Sequence, residues 1–143
     1  MTDDNCLFCR IVSGEVPATI VYENKHAIAF LDHRPLFPGH TLLVPREHVE
    51  TLVDLPHALV GPFFEAAQTL ARAVELAMNA EGTFVAMNNH VSQSVPHLHV
   101  HIVPRRRKDG LKGFFWPRTK YKDDGELKVV QRKIATALQQ LLR

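Results

Sequence analysis

Apolar residues recur along this chain at two spacings, and the switches between them mark its elements. Leu7, Phe8, Ile11 and Val12 fall at helical spacing, and Gly14 followed by Pro17 ends that short helix near Ser13. Residues 19–22 and 27–31 are β-branched or apolar runs on either side of the polar turn Glu23, Asn24, Lys25, which predicts a hairpin. Pro35, Pro38 and Gly39 make the next turn, and a third strand over 40–44 is closed by Pro45. Val60, Phe63, Ala67, Leu70, Val74 and Met78 recur every three or four residues and predict the longest helix over 57–79, where Pro62 is tolerable only in the first turn. Beyond Gly82, residues 83–87 and 97–103 read as strands joined by a polar loop with Asn88, Asn89, His90, Ser92, Gln93 and Ser94. Leu127, Val130, Ile134, Leu138 and Leu141 line one face of a closing helix. No internal repeat or low-complexity linker interrupts the series. This order of elements predicts an α+β domain built on an antiparallel sheet.

With 143 residues, 45% of them apolar, one domain over 1–143 can bury a core without staples. No run approaches the ~20 apolar residues of a membrane span. The first twenty residues carry Asp3, Asp4, Arg10 and Glu15, unlike a secretory signal. A soluble, cytoplasmic protein is expected. A formal charge of +2 gives no global case for nucleic acid, and the run Arg105, Arg106, Arg107, Lys108 is expected to be a solvated turn. Cys6 and Cys9 are too few for a disulfide framework, and their spacing reads as metal binding or redox chemistry.

Nine histidines are more unusual. Three stand in Pro96-His97-Leu98-His99-Val100-His101-Ile102-Val103-Pro104. Successive side chains of a strand point to opposite faces, so His97, His99 and His101 share one face while Leu98, Val100 and Ile102 pack the other. Pro96 and Pro104 are expected to limit the strand, since neither donates to a ladder. Imidazoles two residues apart lie about 6–7 Å apart, within reach of one phosphate or one metal ion. Both chemistries remain open on spacing alone.

The segment 97–103 resembles the pattern of the histidine-triad superfamily. Cys6-Leu7-Phe8-Cys9-Arg10-Ile11, Pro17-Ala18, Val21-Tyr22-Glu23, Ala29-Phe30-Leu31-Asp32, residues 38–45 and Ser92-Gln93-Ser94-Val95-Pro96-His97 are similar to its Hint-like branch, over roughly residues 6–118. The resemblance implies a five-stranded antiparallel sheet with one long helix, a short N-terminal helix and a C-terminal helical extension over about 123–143. It also implies a purine nucleotide substrate and a nucleophile, His99, that attacks the α-phosphorus to give a covalent nucleotidyl-histidine. A neutral imidazole, with an unperturbed pKa of ~6.5, offers its lone pair without a separate base. His101 would stabilise the phosphate and donate a proton, and no catalytic metal is required. Ser94 and Gln93 match positions beside the phosphate or leaving group, and Asn88 or Asn89 matches one facing the ribose-phosphate. Many relatives have Gly at the position of Ser92. Asp32 would accept the ribose hydroxyls, with His33 beside it. Leu7, Phe8, Ile11, Val16 and Leu31 match the slot for the purine, and His40 lies behind the triad. Trp116 resembles an aromatic element that reaches a neighbouring site in a homodimer, for which Phe63, Ala67 and Leu70 are candidate contacts. In related nucleotidyltransferases a histidine at the position of His48 ligates zinc with the first triad histidine. The resemblance thus implies a structural zinc on Cys6, Cys9, His48 and His97, with His97 also part of the catalytic triad. A dinucleoside polyphosphate hydrolase using Arg105 to Lys108 for the distal phosphates is the competing enzyme reading. A nucleotide-binding scaffold with incidental turnover is the reading from another class.

Overall fold

The computed structural model describes residues 3–112 and 117–142. The chain divides into two compact units, Met1–Asp109 and Gly110–Arg143.

The first unit contains helix α1 (Leu7–Val12), strands β1 (Ile20–Glu23), β2 (Ala27–Leu31) and β3 (Thr41–Pro45), a single 3-10 turn at Leu52–Asp54, helix α2 (His57–Met78), and strands β4 (Gly82–Ala86) and β5 (Val100–Arg105). The strands form one sheet in the order β1-β2-β3-β5-β4, antiparallel throughout. Period-two alternation divides its side chains between two cores. On one face Ala29, Leu43, Val100 and Ile102 pack against Phe63, Ala66, Ala67, Leu70 and Val74 of α2. On the other, Ile28, Phe30, Leu42 and Val44 pack against Phe8, Cys9 and Ile11 of α1 and against Cys6. Fully burying each large aliphatic side chain contributes about 1.5–3 kcal/mol. Phe63, Ala67 and Leu70, expected at a dimer contact, are buried inside the chain itself. Their stripe is the one α2 lays on its own sheet.

Three expectations about elements are corrected. The last strand begins at Val100 rather than His97, because the His97 N–H bonds back to the Val95 carbonyl and the Leu98 N–H bonds to the Val49 carbonyl outside the ladder. It also runs through Pro104. Past Ile102, β5 pairs only with β4, so the missing N–H of Pro104 faces the side with no partner strand. Pro62 sits in the second turn of α2, where its missing N–H leaves the exposed Ala58 carbonyl to water.

Asn79 ends α2 in the left-handed conformation (φ 50°, ψ 46°), and the Arg106 guanidinium donates to the carbonyl of Met78, the last helical residue. Arg105 grips Asp109 through two hydrogen bonds, and Arg107 pairs with Glu81. The basic run is an exposed turn, as expected, and ion pairs of Arg105 and Arg107 hold its shape. In the second unit, α3 (Asp124–Leu141) starts at an Asp123 side chain that accepts the Glu126 N–H at 2.8 Å. Among the described residues no helix is long and apolar enough to cross a membrane.

Candidate functional site

The face of the sheet under α1 carries a cavity of about 640 Å³. Leu7, Phe8 and Ile11 reach it from α1, Val16 from the following turn, Leu31, Asp32 and His33 from the end of β2, Ser94 from the loop before β5, and His99 and His101 from β5 and its approach. All ten were expected there. Pro17, Ala18, Thr19, Phe30, Pro35, Leu42 and Val95 complete the wall and were not. For Phe30 and Leu42 the signal is alternation, since each stands next to a residue of the α2 face, Ala29 and Leu43.

Backbone groups decide the protonation of each triad histidine. His99 Nδ1 lies 2.7 Å from the His97 carbonyl, which can only accept, so Nδ1 carries the proton and Nε2 keeps its lone pair. The Leu36 N–H, which can only donate, meets His40 Nδ1 at 3.1 Å, so neutral His40 carries its proton on Nε2. That nitrogen stands 3.0 Å from His101 Nδ1 and donates to it, which leaves the His101 proton on Nε2. Two histidines lining one cavity thus present opposite chemistry, a lone pair on one and an N–H on the other. Burial, reinforced by His99 and His40, pushes His101 from 6.5 down to about 4, and burial also lowers His40, partly offset by Asp32. Phe8 sets its ring edge-on to His99 with centroids 5.0 Å apart. Asp32 accepts the Arg34 N–H through one oxygen, and its other stands 3.8 Å from His40 Nε2. Asp32, His40 and His101 lie close enough together to be metal ligands. The Leu36 N–H argues against that use, because a metal on His40 Nε2 would move the ring proton to Nδ1, against another donor.

His97 does something else. It is fully buried, does not line the cavity, and faces Cys6, Cys9 and His48. Its Nε2–H donates to the Pro45 carbonyl at 2.9 Å, turning the Nδ1 lone pair toward the sulfurs. Nδ1 of His97 lies 3.3 Å from Cys6 Sγ, 3.5 Å from Cys9 Sγ and 3.2 Å from His48 Nδ1, which is itself 3.3 Å from Cys9 Sγ. Tetrahedral zinc bonds of about 2.0–2.3 Å set nitrogen–sulfur spacings near ~3.5 Å and nitrogen–nitrogen spacings near ~3.3 Å. The four residues fit a metal ion. Burial, with His48 and His99 adding repulsion and the Pro45 carbonyl opposing it, brings His97 down to about 4, and burial pushes the Cys9 thiol up. His97 thus stands with the sulfurs and His48, apart from the cavity, while its carbonyl holds His99.

The amides of the polar loop bond to backbone. Asn88 donates to the Ser92 carbonyl, Asn89 accepts the Leu52 N–H at 2.9 Å, and Gln93 accepts the His90 N–H while donating to the Glu50 carbonyl at 2.6 Å. None of the three lines the cavity. They shape the loop that delivers Ser94. Ser92 adopts φ 61°, the left-handed conformation that favours glycine. Trp116 lies outside the described residues.

Comparison with known proteins agrees with this architecture. The family model for the HIT domain matches residues 13–108. A HIT-family protein of Bacillus subtilis superposes with a TM-score of 0.84 at 34% identity, over 93% of this chain and 96% of that one. A zinc-bound histidine triad family protein of Mycobacterium smegmatis superposes at 0.71 with 34% identity, over 93% and 97%. The adenosine 5′-monophosphoramidase of Saccharomyces cerevisiae is 34% identical over 113 residues, 76% of this chain and 68% of that protein. With its five-stranded antiparallel sheet and that match across most of its length, the chain belongs to the HIT domain family.

Proposed function

We propose that this protein is a nucleotide hydrolase that cleaves the bond between the α-phosphorus of a purine nucleoside monophosphate and its leaving group. The observation that carries the reading is the opposed pair of tautomers, Nε2 of His99 bare and Nε2 of His101 protonated. Leu7, Phe8, Ile11, Val16 and Leu31 hold the purine, and Asp32 accepts from the ribose hydroxyls, with His33 alongside. His99 Nε2 attacks phosphorus, forming the P–N bond as the bond to the leaving group breaks. The His101 Nε2–H donates a hydrogen bond to that group as it departs, Ser94 steadies it, and the group takes its proton from water. The resulting His99 cation is stabilised by its charge-assisted bond to the His97 carbonyl. Water then attacks phosphorus and breaks the P–N bond, returning the lone pair to His99 and releasing one proton to solvent. A structural zinc on Cys6, Cys9, His48 and His97 ties α1 to the approach of β5. The reaction itself calls on side chains and backbone donors to meet the phosphoryl charge.

The polyphosphate reading is weaker because its basic run is committed to Asp109, Glu81 and the end of α2, at the end of β5 away from His99. We further propose a homodimer, assembled through the outer edge of β4 and the exposed Leu76 and Val85.

The test is turnover of adenosine 5′-phosphoramidate. His99→Ala should lower it by at least about 10³-fold while holding AMP affinity within about threefold, because the nucleophile makes few ground-state contacts. A nucleotidyl adduct trapped on His101, or AMP affinity lost in step with turnover, would overturn the assignment.

A further inference from the structure

Cys6 and Cys9 are placed for chemistry beyond holding a metal ion. Both cysteines are buried, Cys6 4% and Cys9 2% exposed, but a second cavity, of about 410 Å³, has Cys6, His48, Asp3, Asn5 and Glu50 in its wall, which brings a small solute up to Cys6. Cys9 is not part of that wall. The two Sγ atoms are within 4.8 Å of each other, and Cys6 Sγ already accepts the Cys9 N–H at 3.4 Å across the start of α1. A disulfide asks for Cα atoms about 4.4–6.8 Å apart, which three residues across one helical turn supply.

The same two residues frame the wall of the larger cavity. Leu7 and Phe8 stand between them and Ile11 follows one turn on. His97, which faces both sulfurs, offers the carbonyl that sets the His99 tautomer. His48 belongs to the 48–52 segment, to which the Ser94 loop is tied through Gln93 and Asn89. Four ligands thus gather α1, the 48–52 segment and the approach of β5, three of the segments around the candidate nucleotide.

We propose that Cys6 and Cys9 are a hydroperoxide-sensitive pair whose oxidation to a disulfide gives up the metal and loosens the nucleotide cavity. The sulfur of Cys6, the cysteine in the cavity wall, attacks one peroxide oxygen. The O–O bond breaks, two electrons leave the sulfur, and the products are a sulfenic acid and water or an alcohol. Cys9 Sγ then attacks the Cys6 sulfur and displaces hydroxide, which leaves as water after taking a proton. The net change is two thiols and one hydroperoxide to one disulfide and two hydroxyl products. A disulfide is a poor ligand, so two of the four donors are lost. A dithiol reductant reverses the change. The sulfur chemistry stands independently of the substrate, and only its effect on binding rests on the nucleotide reading.

The experiment exposes the zinc-loaded full chain to hydrogen peroxide. Zinc release is followed with a chromogenic chelator, the thiols by peptide mapping, and AMP affinity by calorimetry. The expected result is a Cys6–Cys9 disulfide, near-stoichiometric zinc release and AMP binding weakened at least about tenfold, restored by dithiol and zinc. Cys6→His, which keeps four ligands but removes the disulfide partner, should hold its zinc and its AMP affinity through the same treatment. If that variant does not fold, mapping and AMP titration on the native sequence decide alone. Thiols that survive peroxide sufficient to oxidise a free dithiol, a terminal sulfinic acid on Cys6, or zinc loss with unchanged AMP affinity would each overturn the proposal. If the reduced, zinc-loaded protein does not bind AMP at all, the nucleotide reading falls, while the disulfide and zinc measurements still judge the redox pair.

Discussion

His40 contributes no reacting atom to the proposed reaction, yet its two hydrogen bonds decide what His101 can offer. Replacing it with Leu leaves the Leu36 N–H and His101 Nδ1 without their partner, and His101 is then free to carry its proton on the wrong nitrogen. We expect His40→Leu to lower kcat by about 10²–10³-fold with KM nearly unchanged, the range for a misplaced hydrogen-bond donor to the departing group. His40→Gln, which presents an oxygen and an N–H at similar spacing, should recover part of the loss. Equal damage in both variants would mean that His40 acts by packing alone. At this scale the sequence is informative about which residues meet and poor about what each does there. Alternation put His99 and His101 on one face, and the family pattern added Asp32, Ser94 and the apolar wall. Neither could show that Gln93, Asn88 and Asn89 spend their amides inside the loop, because those bonds depend on where residues 50 and 52 end up after folding. His97 belongs to the triad by spacing and to the sulfurs by geometry.

Elements were legible wherever periodicity ran long, and the misplacements cluster at proline. Pro104 and Pro62 were read as limits by their missing N–H, but each sits where no donor is wanted, one on an unpaired strand margin and one beside a carbonyl open to water. Glycine behaves more simply. Gly39 turns the chain into β3 at φ +99°, and a Cβ there would stand 2.7 Å from Met78 Cγ. Gly39→Ala should therefore cost about 1–3 kcal/mol, read as a lower denaturant midpoint at unchanged slope. On the α2 face of β5, Ile102 is fully buried, and Ile102→Ala should cost about 2–5 kcal/mol by the same measurement. A loss under about 1 kcal/mol in either case would mean that the site relaxes freely.

For the whole molecule, burial gives stability a direction in pH. His101 has a folded value near 4 against an ordinary 6.5, so the unfolded chain binds more protons between those limits. Its contribution is fully present above about 6.5 and is lost as pH falls toward 4. Denaturant midpoints should drop through that window, and less steeply in His101→Asn. Equal slopes in the two proteins would contradict the burial of this imidazole. Sedimentation tests the dimer, and Val85→Glu on the β4 margin should shift it toward monomer if the proposed contact is correct.

The sheet order also bears on how the protein comes to have an active site at all. Hairpin β1–β2 with β3, and the pair β4–β5, are each assembled from near neighbours in the chain, but they meet along one seam, Thr41↔Ile102, Leu42↔His101 and Leu43↔Val100. Closing it joins stretches separated by a long excursion through α2, an entropic cost that must be met before the contacts can repay it. His40 and His101 come from opposite banks of that seam, so the hydrogen bond between them does not exist in either half. In a refolding chain, competence should arrive as a late event, after most helix and strand signal has returned, and the seam should be the last register to become protected against amide exchange.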